Sequence, residues 1–214
     1  MKYKNIFFDL DGTLLDPGEG ITNSVIYALK YYGISVSDRK QLYSFIGPPL
    51  WESFEKYFGF SHEKAKEAVE YYREYYREKG IFENKVYDGL FQMLDELKKS
   101  GHKLYVATSK PQIFARRIIT HFGLESYFDF VGGSELDGTR VKKSEVVAFV
   151  AHQTADFTVE NTVMVGDREH DVMGAAENGL ACIGVLYGYG SYDELTKAGA
   201  SYIAEKTTDI LKYV

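Results

Sequence analysis

Ile6-Phe7-Phe8-Asp9-Leu10-Asp11-Gly12-Thr13-Leu14 is the stretch on which the fold turns. Its first three residues are apolar without polar alternation, the pattern of a strand buried in a sheet. The run ends in Asp-Leu-Asp-Gly, so the strand enters a loop that carries two carboxylates.

Working outward, residues 17–82 carry no further strand signal. Ile21, Val25, Ala28, Leu29 and Tyr32 recur at helical spacing, and Gly33 stops that helix. Two shorter helical stretches between residues 38 and 58 are separated by Gly47-Pro48-Pro49. Ser61 supplies an N-cap for a helix that runs to Gly80. Tyr71, Tyr72, Tyr75 and Tyr76 recur along that helix and pack it against its neighbours. Beyond residue 83 the rhythm changes to helix 89–99, strand 103–107, helix 112–122, strand 128–131, helix 144–154, strand 162–165, helix 171–178, strand 181–185, helix 192–198 and a strand at 202–203. Unalternating apolar strands between helices predict a parallel sheet covered on both faces. The fold class is therefore α/β, a doubly wound parallel sheet with an all-helical module inserted after its first strand. The expected domains are 1–16 with 83–214 for the core and 17–82 for the insertion.

A net charge of −6 gives no positive face for a nucleic-acid polymer or an acidic membrane. No stretch reaches transmembrane length, and the apolar N-terminal run is too short for a signal peptide. These features predict a cytoplasmic protein with no membrane partner, as a monomer or a homodimer. The single cysteine, Cys182, forms no intramolecular disulfide and belongs to the apolar run of a strand.

In open parallel sheets, ligands sit at the carboxyl ends of the strands. That rule gathers Asp9 and Asp11, then Thr108, Ser109 and Lys110, then Asp167 with Asp171 just beyond it. Lys142 and Lys143 open a helix on the same side. Any one of these residues alone is explained as a helix cap; together, from distant parts of the chain, they are not. Four carboxylates against one lysine leave three negative charges uncompensated, which calls for a divalent cation or raised pKa values. The donors are all oxygens, with no neighbouring Cys and His set, and that favours Mg²⁺ over zinc. His170 lies beside the cluster and is expected on a helix surface.

Four motifs in order carry a resemblance over essentially the whole chain. Asp9-Leu10-Asp11-Gly12-Thr13-Leu14, Val106-Ala107-Thr108-Ser109-Lys110-Pro111, Gly138-Thr139-Arg140 with Lys142-Lys143, and Val165-Gly166-Asp167-Arg168-Glu169-His170-Asp171 resemble the motifs of the haloacid dehalogenase superfamily. The helical block is similar to the small cap of its phosphoglycolate phosphatase-like and 5'-nucleotidase-like group. The resemblance implies a Rossmann-like core and an Mg²⁺-dependent phosphatase acting on a small-molecule phosphate ester. It makes Asp9 the nucleophile that forms an aspartyl-phosphate and Asp11 the general acid and base. Thr108 and Lys143 then hold and neutralise the phosphoryl group. Backbone and side chains of Gly12, Thr13, Ser109 and Lys110 would bind substrate, as would Gly47 and Pro48 in the cap. The metal set would be Asp9, the main-chain carbonyl of Asp11, Asp167 and Asp171, the last through a water. The Gly-Thr-Arg-x-x-Lys-x-Glu form of the third motif selects Lys143, with Lys142 the competing choice. The same motifs leave open a sugar phosphomutase or a pyrophosphatase, and a non-catalytic phosphate-binding domain is the reading from a different class. A dehalogenase is disfavoured, because that reaction needs neither a second Asp nor a metal.

Overall fold

Strand β1 (Asn5–Phe8) is completely buried and sits between two parallel neighbours. In chain order the other strands are β2 (Leu15–Asp16), β3 (Lys85–Val86), β4 (Lys103–Pro111), β5 (Phe130–Ser134), β6 (Thr162–Gly166), β7 (Ala181–Val185) and β8 (Tyr202–Ala204). The helices are α1 (Gly18–Lys30), α2 (Leu50–Phe58), α3 (His62–Glu78), α4 (Leu90–Lys99), α5 (Gln112–His121), α6 (Lys143–Gln153), α7 (Glu169–Glu177) and α8 (Tyr192–Ala198). The computed structural model describes residues 2–214. Two compact units emerge: residues up to Leu15 together with Val86–Val214, and Asp16–Lys85.

The first unit holds a six-stranded sheet of order β5-β4-β1-β6-β7-β8, with parallel pairings throughout. After β1 the chain fills one side of the sheet with β4 and β5, then crosses to fill the other with β6, β7 and β8. The order therefore reverses at β1, where an open α/β sheet leaves a crevice beyond its strand ends. Phe7, Tyr105, Ala107, Met164 and Cys182 pack on Val146, Val147, Val150, Val172, Ala175 and Leu195 from α6, α7 and α8. The alternate residues Ile6, Phe8, Leu104, Val106, Val163, Val165 and Ile183 point to the opposite face and are equally inaccessible. Both faces are covered, as the unbroken apolar runs predict. Cys182 is buried within this sheet.

One strand is displaced from its expected position. β5 begins at Phe130 rather than residue 128 and continues through Gly132 and Gly133 to Ser134. The Asp129 N–H bonds the Leu104 carbonyl at 2.8 Å, but its carboxylate, which faces Lys98 and Lys103, takes the Leu104 N–H at 3.1 Å, so a side chain replaces the next ladder bond and the regular strand starts at Phe130.

The second unit is helical. Ser61 caps α3 by accepting the Lys64 N–H at 3.3 Å. The segment Arg39–Phe45 is a 3-10 helix rather than an α-helix. Pro48 and Pro49 follow closely, and without N–H groups they cannot extend it. Phe54 is the centre of the packing, with ring centroids 5.0 Å from Phe45 and 5.9 Å from Phe60. Tyr72 and Tyr76 are buried, whereas Tyr71 stacks on Tyr31 at 3.8 Å. Among the described residues, no helix is long and apolar enough to cross a membrane.

Candidate active site

The crevice is built from loops that leave the carboxyl ends of β1, β4 and β6. Asp9 follows β1 directly, and its N–H bonds the Val165 carbonyl at 2.9 Å, so this residue is pinned to the neighbouring strand. The chain then folds back on itself, with Leu14 and Leu15 N–H groups both on the Leu10 carbonyl. Gly12 permits this with φ +81°, and a Cβ there would lie 2.2 Å from Asp167 Oδ2. Only a glycine lets the first loop approach the fourth-motif carboxylate so closely.

Thr108 is buried at the end of the regular part of β4, and the register with β5 breaks between Thr108 and Pro111. That irregularity turns the strand end toward the crevice. Lys110 N–H bonds the Thr108 hydroxyl oxygen at 3.3 Å, and the Ser109 carbonyl accepts from the Ser134 hydroxyl at 2.8 Å. The Lys110 ammonium pairs with the Asp11 carboxylate, 2.8 Å from one oxygen and 2.6 Å from the other.

Lys143 is the first residue of α6, a position where the helix dipole disfavours a cation. Its ammonium is buried and donates to the Ala107 carbonyl at 2.9 Å. It stands 2.8 Å from Asp9 and 2.7 Å from Asp171. Lys142 is exposed and serves as the helix N-cap, its own N–H accepted by Glu145 at 3.2 Å. Of the adjacent pair, the structure brings Lys143 to the carboxylates and leaves Lys142 outside. Asp171 has a double role. One oxygen accepts the Arg168 N–H at 3.1 Å and caps α7, while the other faces Lys143. His170 is exposed on α7. Thr13 is buried with its hydroxyl directed at Asp167 Oδ1, 3.4 Å away. Gly47 and Pro48 belong to the second unit, in the turn before α2.

The electrostatics follow from burial and crowding. Burial, then Asp171 and Asp9, push the Asp167 carboxyl well above its ordinary range. Burial also raises Asp171, with Lys143 opposing and Asp9 reinforcing the rise. Asp11 is raised by burial and by Asp9, against the pull of Lys110 and Lys143. Burial would lower Lys143, but Asp171 and Asp9 outweigh it and hold the ammonium charged.

Asp9, Asp167 and Asp171 each offer a carboxylate oxygen within 4.8 Å of the others. Asp9 Oδ1 and Asp171 Oδ1 are closed off from solvent, yet neither receives an aligned hydrogen bond despite the nearby ammonium. Lys110 and Lys143 set two positive charges against the four carboxylates of Asp9, Asp11, Asp167 and Asp171, so the excess is two negative charges rather than the expected three, and a further cation would offset it. Three hard oxygen donors at this spacing fit Mg²⁺. The Asp11 carboxylate stands apart from this set, turned to Lys110.

Two features escape a reading of the motifs. One is the Lys110–Asp11 pair, because residue identity does not show whether a lysine faces a phosphate site or a carboxylate. The other is the segment Tyr187-Gly188-Tyr189-Gly190 after β7. Tyr189 N–H donates to Asp167 Oδ2 at 2.8 Å, and the Tyr187 hydroxyl donates to the Thr13 carbonyl at 3.0 Å. Its signal was available: a glycine-rich turn at the carboxyl end of a strand, on the same sheet edge as the motifs.

Comparison with known proteins agrees with this geometry. The family of haloacid dehalogenase-like hydrolases matches residues 6–185. A 5'-nucleotidase from Pseudomonas aeruginosa is 51% identical over 195 residues, which is 91% of this chain and 88% of the relative. The tyrosine-protein kinase PtkA of Mycobacterium tuberculosis is 38% identical over 203 residues, covering 95% of this chain and 69% of that protein. Among solved structures, a predicted phosphatase from Clostridium acetobutylicum superposes with a TM-score of 0.94 at 47% identity, covering 100% of this chain and 98% of the other.

Proposed function

The chain belongs to the haloacid dehalogenase-like hydrolases, and from that premise we propose that it is an Mg²⁺-dependent phosphatase of small phosphate monoesters, working through an aspartyl-phosphate on Asp9. The observation that carries the reading is the convergence of Asp9, Asp167 and Asp171 on one point, with the buried Lys143 ammonium between Asp9 and Asp171.

The Asp9 carboxylate attacks phosphorus, and the bond to the ester oxygen breaks. Asp11 gives its proton to that oxygen, and the alcohol departs. Asp11, now a carboxylate, takes a proton from water. The water oxygen attacks phosphorus, and inorganic phosphate leaves Asp9 as it began. The raised Asp11 carboxyl suits a group that must be an acid in one half of the cycle and a base in the other. Lys143 offsets the repulsion between the anionic nucleophile and the anionic ester, and Thr108 donates to a phosphoryl oxygen. Bound at Asp9, Asp167 and Asp171, with the Asp11 carbonyl, Mg²⁺ would supply further positive charge to the transferring group.

The substrate class follows from the relative that is 51% identical and is named a 5'-nucleotidase. A 5'-nucleotide is the first choice, with phosphoglycolate and other small esters as comparators. The helical second unit is read as the cap that selects among them, with Gly47 and Pro48 as contact residues. The kinase relative supplies the competing reading, in which the phosphoryl group passes from Asp9 to a tyrosine hydroxyl instead of water.

The test is release of phosphate from a panel of 5'-nucleotides, phosphoglycolate, pyrophosphate and p-nitrophenyl phosphate. ATP with a tyrosine peptide is assayed in parallel. With Mg²⁺, phosphate release is expected from the native protein. Asp9→Asn should lose at least about a thousandfold in kcat, as expected when a covalent nucleophile is removed. Turnover retained in a folded Asp9→Asn protein, or phosphotyrosine as the main product, would displace this reading.

A further inference from the structure

The segment after β7 closes a ring of hydrogen bonds that no motif of the family reading includes. β7 ends in the sheet, and Leu186 N–H still bonds the Ala204 carbonyl at 2.9 Å. The chain then turns over the acidic loops. The Tyr187 hydroxyl holds the Thr13 carbonyl, the Thr13 hydroxyl points at Asp167 Oδ1, and Asp167 Oδ2 accepts the Tyr189 N–H. Tyr187 and Tyr189 are two residues apart, so the ring is complete. It ties together the loops that leave β1, β6 and β7.

The glycines show how tightly the segment is applied. A Cβ on Gly188 would stand 2.3 Å from the Gly12 carbonyl oxygen and 2.6 Å from Asp167 Oδ2. A Cβ on Gly190 would stand 1.9 Å from the Asp167 carbonyl oxygen. Backbone therefore lies directly on backbone, and the two tyrosines alternate with the two residues that cannot carry a side chain. The far end is also anchored. Ser191 caps α8 by accepting the Glu194 N–H at 3.1 Å, and Glu194 pairs with Arg168, next to Asp167, at 2.8 Å. At the near end the Tyr187 ring meets Tyr87 edge-on, 4.9 Å between centroids.

We propose that residues 187–190 are a positioning element for the acidic centre, with the Tyr187 hydroxyl as its side-chain handle. This inference rests on the Mg²⁺-phosphatase reading of the same site. The hydroxyl fixes the Thr13 peptide and, through it, the loop that presents Asp9 and the Asp11 carbonyl. The Tyr189 N–H sets the rotation of the Asp167 carboxylate. A carboxylate held on both oxygens needs no reordering when a cation arrives, so the element sets cation affinity. Tyr187 touches no reacting atom; it acts through Thr13 and Asp167.

The experiment compares the native protein with Tyr187→Phe, which keeps the ring and its packing on Tyr87. Mg²⁺ binding is measured by calorimetry without substrate, and p-nitrophenyl phosphate turnover at saturating Mg²⁺. The variant is expected to bind Mg²⁺ about fivefold to tenfold more weakly, the loss of roughly one hydrogen bond's worth of order at a metal site. Its kcat should fall by a similar factor with KM unchanged. A native-like Mg²⁺ affinity and kcat, with only a lower melting temperature, would mean a merely structural tyrosine and would overturn the inference. A native protein that turns over phosphate esters beside an unaltered variant sinks this inference alone. A native protein that neither binds Mg²⁺ nor releases phosphate sinks the phosphatase reading, and this one with it. Amide exchange gives a check that needs no variant: the Tyr189 N–H should exchange far more slowly than those of Gly188 and Gly190, and rapid exchange there would also overturn the proposal.

Discussion

The helical unit and the crevice of the sheet unit satisfy their buried polar groups in opposite ways. In the helical unit, Thr22 and Ser24 donate to the carbonyls of Gly18 and Gly20, one turn back on the same helix, at 2.6 and 2.7 Å. Each such bond forms with the helix and asks nothing of the rest of the chain. In the crevice, Lys110 reaches Asp11 across 99 positions and Tyr187 reaches Thr13 across 174. Those bonds exist only once the sheet is assembled. Buried charge costs desolvation that pairing repays only in part, so stability does not explain why this chain gathers so much of it in one place. The difference separates a region shaped by packing from a region shaped by chemistry. Substitutions should sort accordingly, with losses of stability in the first and losses of rate in the second.

After Asp9→Asn, the largest effect is expected at Lys143. Lys143→Met keeps the length of the stem but removes the ammonium between Asp9 and Asp171, so Asp9, the proposed nucleophile, would lose its counter-charge and the phosphoryl group a stabilising cation. The kcat for phosphate esters should fall about a hundredfold to a thousandfold, the usual scale for losing one electrostatic contact to the transition state. Lys142→Met, an exposed N-cap change, should stay close to native. Steady-state kinetics of the two variants side by side decide the matter. An inactive Lys142→Met beside an active Lys143→Met would reverse the assignment and break the link between burial and role.

How much of this was legible beforehand depends on how local each signal is. Ser61 as an N-cap, the unbroken apolar strands and the helix 192–198 follow from neighbours in sequence, and the structure has all of them. The acidic cluster was legible because the carboxyl-end rule converts strand order into proximity, and Asp9, Asp167 and Asp171 do meet. The same rule could not aim a side chain. The second motif groups Lys110 with the phosphate-binding residues, and in this structure its ammonium lies on Asp11. The apolar run predicts a strand from residue 128, whereas the Asp129 carboxylate takes the Leu104 N–H that a strand carbonyl would otherwise accept, and β5 starts at Phe130. The tyrosine-glycine segment carries little signal of its role, because its partners, Gly12, Thr13 and Asp167, are distant in sequence and its own residues carry no ionised group. What escapes a sequence reading here is contact set by tertiary folding, and such contacts concentrate in the crevice.

A smaller and purely structural effect is expected in the helical unit. Phe54 is inaccessible and lies among the rings of Phe45, Phe58 and Phe60. Phe54→Ala should cost about 3–5 kcal/mol by lost burial and an unfilled cavity, measured by denaturant unfolding. Turnover of p-nitrophenyl phosphate per folded molecule should be retained. A collapse in kcat with stability intact would erase the division between the two regions.

The subtlest expected effect is a shift along the pH axis, and Lys110 tests whether the crevice tunes its acid. Burial and Asp9 raise the Asp11 carboxyl, while Lys110 pulls it back down more strongly than Lys143 does. Lys110→Met removes that opposing charge, so Asp11 should keep its proton to higher pH. The protonated form is the one that can protonate a departing alkoxide. The alkaline limb of kcat/KM against pH should therefore move upward for an alkyl phosphate such as a 5'-nucleotide. In kcat, where hydrolysis of the aspartyl-phosphate limits turnover, the acidic limb should move the same way, because Asp11 then acts as base on the attacking water. p-Nitrophenolate departs without a proton, so its alkaline limb should move less. That contrast between two leaving groups separates a tuned acid from a general loss of positive charge at the phosphate site. The latter would raise KM for both substrates and leave both limbs in place. A downward shift would mean that Lys110 stabilises the protonated carboxyl, contrary to the sign of its charge. It would return Lys110 to the substrate-binding role that the motif alone suggested.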